Sequence, residues 1–197
     1  TDMDNPLGYA IGNSLEVIEA VDTLNGKGPQ DFSDCCIELS ANILELAGKG
    51  SAEQCVAQVK DVIASGAALE KLCEMVEAQG GNADVIRDTS KFGEAPVIRE
   101  IIATTSGYIS SMDTESIGIT SVMLGAGRET KDSPVDHLAG ISLKKKTGDY
   151  VSAGDTLAVF HTSNELLIKG AQERFVSALK ISEAKPDLKP LVYAKIE

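Results

Sequence analysis

Positive charge is scarce in this chain. Eighteen Lys and Arg stand against thirty Asp and Glu, a net charge of −12, and the pI is about 4.6. Neutralising phosphates takes clustered Lys and Arg, so this balance argues against nucleic acid as a partner. The one basic run, Lys144-Lys145-Lys146, is too short to reverse it and reads as a solvated strand end. Long apolar runs are missing too: none approaches the ~18 residues of a membrane span, so no membrane partner is expected. The first residues are acidic and loop-like rather than basic and then apolar, so no secretory leader is expected and the chain reads as cytoplasmic. Histidine is limited to His137 and His161, and cysteine to Cys35, Cys36, Cys55 and Cys73 with no CxxC pair. A zinc site is hard to assemble from these. The cysteines fall on apolar faces of expected helices and read as buried, reduced thiols. There is no GxGxxG, no GxxxxGK[ST] and no Ser/His/Asp spacing that supports a triad, so no self-contained active site is visible.

What is present starts with the stretch from Thr1 to Glu19, an acidic loop punctuated by Pro6, Gly8 and Gly12 that runs straight into a helix. Asn13 suits the N-cap, with Glu16 at the third helical position of a capping box. Glycine-flanked carbonyls followed by a helix bearing carboxylates make either a simple helix entry or one side of a small oxygen-lined ion site. Helical spacing then continues. Val17, Ala20, Val21 and Leu24 share one face, and Cys36, Leu39, Ile43 and Leu46 are expected inward on a helix from about Ser33 to Ala47. Ser51 with Gln54 opens a third helix carrying Val56, Val59 and Ile63. A fourth carries Leu69, Leu72, Cys73 and Val76 and stops at Gly80-Gly81. The first eighty residues therefore read as a helical array, residues 82–95 as an irregular connection, and a domain boundary is expected near residue 95.

From Val97 onward β-branched residues dominate. Strands are expected at 97–103, 108–110, 138–144, 150–152, 156–162 and 191–196, with helices at 114–124 and 164–179. The fold class is α/β in content, of the α+β type, with residues 96–197 as a separate C-terminal α+β domain. Within it, Gly148-Asp-Tyr-Val-Ser-Ala-Gly-Asp-Thr-Leu157 has two Gly-Asp turns around a short strand with Val and Leu inward. It resembles a segment of barrel-sandwich folds such as biotinyl and lipoyl carrier domains, although the Met-Lys-Met element of a carrier is absent. A stand-alone structural or carrier-like barrel-sandwich module is the alternative reading of the chain. Gly125-Ala-Gly-Arg128 could face a phosphate, or could simply end the preceding helix.

Five blocks together resemble the pyrimidine-nucleoside phosphorylase family, which includes thymidine phosphorylase. They are Thr1-Asp-Met-Asp-Asn-Pro-Leu-Gly-Tyr-Ala-Ile-Gly-Asn-Ser-Leu-Glu-Val17, Met123-Leu-Gly-Ala-Gly-Arg128, Gly140-Ile141, Lys146-Thr-Gly-Asp149 and Leu191-Val-Tyr193. Family members are longer, so the resemblance implies a C-terminal portion: residues 1–95 as the helical end of a central α/β domain, and 96–197 as the family's C-terminal domain with its barrel-sandwich, hammerhead-like sheet. It also implies a cytoplasmic homodimer in which phosphate cleaves a pyrimidine nucleoside to free base and a pentose 1-phosphate, with no organic cofactor. The family's phosphate- and base-holding residues lie in the N-terminal half, so no catalytic or substrate-binding residue is assigned here. One family site does carry over. A potassium ion held by two backbone carbonyls and one carboxylate implies Leu7, Ala10 and Glu19 as ligands, a donor set of oxygens that suits a hard cation. The segment from Arg128 to His137 resembles a family loop near the active-site cleft, which implies a lid.

Overall fold

A computed structural model describes residues 1–128 and 130–196. The chain divides into two units, one made of Thr1–Glu16 with the residues from Gly93 on, the other of Val17–Phe92. The resemblance implies one domain over residues 1–95. The opening residues instead lie with the later ones because a strand at Ala10–Gly12 pairs with one at Gly140–Leu143.

The helical unit begins within α1 (Ser14–Leu24) and continues through α2 (Gln30–Leu46), α3 (Ala52–Ala64), α4 (Ala67–Ala78) and the short α5 (Asp84–Arg87), closing on a 3-10 turn at Thr89–Phe92. The capping box that opens α3 is complete: Gln54 N–H donates to Ser51 Oγ and Ser51 N–H to Gln54 Oε1. α2 starts three residues before the expected Ser33, with Pro29 at its N-cap in an extended conformation (φ −57°, ψ 142°). Two small cores form. Ala41, Cys55 and Val59 pack with Ile37, Leu44 and Val56, and Val21 and Cys73 pack with Ala83 and Ile86. Cys35, Cys55 and Cys73 are buried free thiols; Cys36 is half-buried, and desolvation followed by neighbouring Cys35 raises its pKa.

The inward face of α2 differs from the one expected. Ile37, Ala41 and Leu44 turn to α3, while Leu39, Ile43 and Leu46 are 52%, 66% and 87% exposed. Both faces of this helix carry apolar side chains at three- and four-residue spacing, so periodicity shows that a face is buried without showing which. Val17 of α1 is likewise exposed.

The other unit is β-rich. Its elements are β1 (Ala10–Gly12), β2 (Val97–Ile102), β3 (Gly107–Met112), α6 (Thr114–Ser121) running into a π turn at Val122–Ala126, β4 (Gly140–Leu143), β5 (Tyr150–Val151), β6 (Thr156–Thr162), a 3-10 turn at Glu165–Leu167, α7 (Ile168–Ser177) and β7 (Leu179–Ser182). Two antiparallel sheets result, in the orders β1-β4-β6-β2 and β5-β3-β7. The core between them and the helices α6 and α7 is aliphatic, with Ile101, Ile109, Ile117, Leu124, Ile141 and Val151 fully buried. One aromatic pair joins it, Phe160 edge-on to Phe175 with ring centroids 5.4 Å apart.

The two Gly-Asp turns are built alike. Asp149 Oδ2 accepts from Lys146 N–H at 2.8 Å and Asp155 Oδ2 from Ser152 N–H at 3.0 Å. Gly148 and Gly154 take φ of +94° and +99°, values that favour glycine. Gly148 N–H then donates to the Ile109 carbonyl on β3 and Gly154 N–H to the Ala103 carbonyl just past the end of β2, leaving Val151 and Leu157 inward. The expected final strand at 191–196 and the extension of the last helix to residue 179 are both corrected. The helix stops at Ser177, and Leu179–Ser182 takes the position on β3 opposite β5. With both edges of β3 filled, residues 191–196 have no place on it and form no strand.

Candidate functional site

The opening loop is held at both ends. At its start Asp2 N–H donates to the Leu191 carbonyl at 2.7 Å, Tyr193 Oη donates to Asp2 Oδ1 at 2.8 Å, and Lys189 Nζ pairs with Asp4 at 2.8 Å. Asn5 Nδ2 also donates to Asp2, at 2.7 Å. That bond, ahead of the one from Tyr193, keeps the Asp2 carboxyl below the usual carboxylate range, and the same Asp2 pushes the Tyr193 phenol up. At its far end the loop becomes β1, and the register places Gly12 opposite Gly140. Neither position has room for a side chain: a Cβ on Gly12 would lie 2.6 Å from the Ala139 carbonyl oxygen, and one on Gly140 2.3 Å from that of Ile11.

Between these ends the carbonyls are sorted by strand geometry. The Tyr9 carbonyl accepts from Leu143 N–H at 2.8 Å, and Ile11 stands opposite Ile141. Successive residues of an antiparallel strand present their backbone groups to alternate sides, so the Ala10 carbonyl is directed to the side away from β4. Among the described residues β1 is an edge strand, and no further strand pairs with it on that side. Leu7 sits in the preceding turn, where Gly8 has a φ of +67°. The Gly8 carbonyl accepts from Lys146 Nζ at 3.0 Å, and the same ammonium lies 5.0 Å from the centroid of the Tyr9 ring. The loop thus already holds one cation, with a carbonyl oxygen and an aromatic face.

Helix entry comes directly after. Glu16 does reach back to a backbone N–H, but to that of Gly12 at 2.9 Å, one residue before the expected Asn13. The Asn13 amide donates instead to the Ala126 carbonyl at 2.7 Å, tying the loop to the end of the π turn. Glu19 lies on α1 in the helical unit and is partly buried, and its backbone carbonyl accepts from Thr23 Oγ1 at 2.8 Å. Carbonyl oxygens and a carboxylate are a chemically suitable set for a monovalent cation. Among the described residues no group of three or more His, Cys, Asp or Glu is placed to hold a metal ion.

Sequence comparison bears on the whole chain. A family model described as the pyrimidine nucleoside phosphorylase C-terminal domain matches residues 108–182, the stretch from β3 to β7. The chain is also 38% identical, over all 197 of its residues, to a thymidine phosphorylase of Metamycoplasma hominis, and covers 72% of that protein. The chain belongs to the pyrimidine-nucleoside phosphorylase family. It is 38% identical over its full length to the pyrimidine-nucleoside phosphorylase of Geobacillus stearothermophilus, and 38% identical over 166 residues to that of Bacillus subtilis. It spans 45% of the first and 38% of the second. It corresponds to the C-terminal part of these longer phosphorylases, and the carrier-like alternative is not favoured.

Within the phosphorylase C-terminal domain lies a second feature, a cavity of about 440 Å³ lined by Met123, Leu124, Gly125, Val135, Asp136 and Thr162 among others. Asp136 organises its mouth. Its N–H donates to the Gly125 carbonyl at 2.9 Å, while its carboxylate accepts from Leu138 N–H at 3.0 Å and Ser163 N–H at 2.9 Å. Buried Thr162 Oγ1 donates to the Leu124 carbonyl at 2.7 Å. Gly125, at φ +107°, is where the helix breaks, and a Cβ there would come within 3.3 Å of Asp136. Of the two readings of Gly125-Ala-Gly-Arg128, this geometry is that of a helix end. In the segment from Arg128 to His137, read as a lid, Glu129 lies outside the described residues. The other end is anchored, with the His137 carbonyl accepting from Ser14 N–H at 3.1 Å. His161 on β6 shares a 3.1 Å hydrogen bond with Ser142 on β4, and burial, then Lys144, keeps its pKa below the ordinary histidine value.

Lys146 and Asp136 are the residues that sequence reasoning passed over. Lys146 sits in a run of lysines that reads as solvated, and its partner Gly8 is 138 positions away, so no local pattern joins them. Asp136 lies in a polar loop, where a carboxylate is ordinary.

Proposed function

We propose that this chain works as the C-terminal part of an enzyme that transfers the pentose of a pyrimidine nucleoside to inorganic phosphate, releasing free base and pentose 1-phosphate. The observation that carries the reading is 38% identity to named phosphorylases in alignments that span the whole chain. In such a reaction phosphate attacks the anomeric carbon as the base departs, and the protein supplies positioning and electrostatic stabilisation. The family resemblance puts the phosphate- and base-holding groups in the other half, so this chain brings no group to the reacting atoms and is inactive alone. The intact enzyme is a cytoplasmic homodimer in this reading.

The same reading gives the opening loop a role. The Leu7 and Ala10 carbonyls and the Glu19 carboxylate are the potassium ligands contributed by this part of the chain. Two findings support it: the register that directs the Ala10 carbonyl off the sheet edge, and the fixing of the loop at both ends. Bound potassium would neutralise the carboxylate and hold the loop against residues outside this chain. The test is a single polypeptide joining the unmatched N-terminal part of the Geobacillus stearothermophilus enzyme to this chain. Phosphate-dependent uracil release from uridine, stimulated by potassium over an equal concentration of tetramethylammonium and lowered by Glu19→Gln, is the expected result. An active chimera indifferent to potassium and to Glu19→Gln would remove the ion from the account, and an inactive, folded chimera would remove the activity.

A further inference from the structure

Lys146 reaches the opening loop from a rigid base. Its N–H donates to Asp149 Oδ2 at 2.8 Å, its carbonyl accepts from Asp149 N–H at 3.0 Å, and Gly148 of the same turn donates to the Ile109 carbonyl on β3 at 2.8 Å. Leu143, at the end of β4, donates to the Tyr9 carbonyl at 2.8 Å. Lys146 Nζ takes the neighbouring carbonyl, that of buried Gly8, at 3.0 Å. A charge-assisted hydrogen bond of this kind is about twice as strong as a neutral one. Both inner carbonyls of the stretch from Leu7 to Ala10 are thus gripped by one ledge, β4 and the turn after it.

That grip bears on the two outer carbonyls. Peptide groups are planar, so the direction of a carbonyl follows from the dihedrals that separate its plane from the next. Only the φ and ψ of Gly8 separate the Leu7 carbonyl from the plane that Lys146 holds. Only those of Ala10 separate the Ala10 carbonyl from the plane that Leu143 holds. Ala10 is confined by its pairing with Ser142. Gly8, at φ +67°, is of the residue type that restricts its own backbone least. The Leu7 carbonyl therefore depends most on an outside anchor, and Lys146 supplies it.

We propose that Lys146 is a positioning residue for the cation site of the opening loop, acting through the Gly8 carbonyl to aim that of Leu7. The proposal rests on the reading of Leu7 and Ala10 as potassium ligands, and adds what holds them in place. Charge alone argues for the opposite effect. An ammonium near a bound cation repels it, so its removal would tighten potassium binding, whereas loss of the anchor weakens it. The sign of the change separates the two.

The test has two readouts. In hydrogen exchange on this chain, Lys146→Met should speed exchange of the Leu143 amide at least fivefold and leave the amides of the β2–β6 ladder within twofold of wild type. In the chimera of this chain with the N-terminal part of the Geobacillus stearothermophilus enzyme, potassium chloride is titrated at constant ionic strength against tetramethylammonium chloride. Lys146→Met should raise the half-saturating potassium concentration at least fivefold, with kcat at saturating potassium falling less than twofold. Lys145→Met removes the same charge from the same turn, where Lys145 Nζ reaches the Tyr150 carbonyl at 3.4 Å, and should leave both readouts within twofold. An unchanged Leu143 amide, a half-saturating concentration that holds or falls in Lys146→Met, or one that rises as far in Lys145→Met overturns the proposal and leaves the potassium reading standing. A wild-type chimera that is active but indifferent to potassium removes that reading, and the proposal with it.

Discussion

Replacing Gly140 by Ala probes how the opening loop is attached. Gly140 has a φ of +156°, and the added Cβ would lie 2.3 Å from the Ile11 carbonyl oxygen, 2.9 Å from Leu15 Cδ1 and 3.2 Å from Gly12 Cα. Two of these three are backbone atoms, which cannot swing aside as a flexible side chain does. Holding a non-glycine residue in such a region costs on the order of 1–3 kcal/mol. Relief would pull β1 from β4, where only three residue pairs join them, and each ladder hydrogen bond lost costs a further ~0.5–1.5 kcal/mol. The sum is about 3 kcal/mol, which lowers Tm by roughly 6–12 °C for a chain of this size. Gly118 provides the contrast: it lies inside α6 with nothing within 4 Å of an added Cβ, so Gly118→Ala should raise stability by up to about 1 kcal/mol. Differential scanning calorimetry of the two variants beside wild type reads both. A Gly140→Ala transition within 2 °C (about half a kcal/mol) of wild type would refute the reasoning, because it would mean that β1 tolerates being displaced.

Other expectations rest on the same geometry. Lys146→Met removes the ammonium from both the Gly8 carbonyl and the Tyr9 ring, and should cost about 1 kcal/mol in urea unfolding; an unchanged midpoint would show the contacts to be idle. Phe175→Ala empties a fully buried ring that meets Phe160 edge-on and should cost about 3–5 kcal/mol, whereas Leu166→Ala, at a side chain 88% exposed, should stay within about 0.5 kcal/mol. The folded His161 has a depressed pKa, so the unfolded chain takes up the proton first. Stability should be intact above the unfolded histidine value and fall as pH drops through it toward the folded value, and His161→Gln should flatten that part of the pH profile.

Local chemistry carried well from sequence to structure where the residues act on their own neighbours. Ser51 and Gln54 cap α3 as their spacing dictates, β6 occupies Thr156–Thr162 as expected, and the Gly-Asp repeats turn where Asp149 and Asp155 can reach a backbone N–H three residues earlier. Choices made by distant parts of the chain could not be seen. α2 has two apolar faces, and only the position of α3 decides which is buried. Leu179–Ser182 becomes a strand because β3 has an open edge to fill, and the C-terminal tail is tied to Asp2 and Asp4 by partners more than 180 positions away. In the candidate site the oxygen-rich loop was legible from its glycines and carboxylates. The Lys146 contact that holds it was not, since nothing in a run of three lysines distinguishes the one that turns inward.

The most direct measurement of the central account is phosphorolysis by the purified 197-residue chain itself. Incubated with uridine or thymidine and inorganic phosphate, with and without potassium, it should release no uracil or thymine above a phosphate-free control by liquid chromatography. Phosphate-dependent release of either base by this chain alone, retained through purification from a host lacking its own pyrimidine phosphorylases, would contradict the claim that the reacting groups lie in the other half of the enzyme.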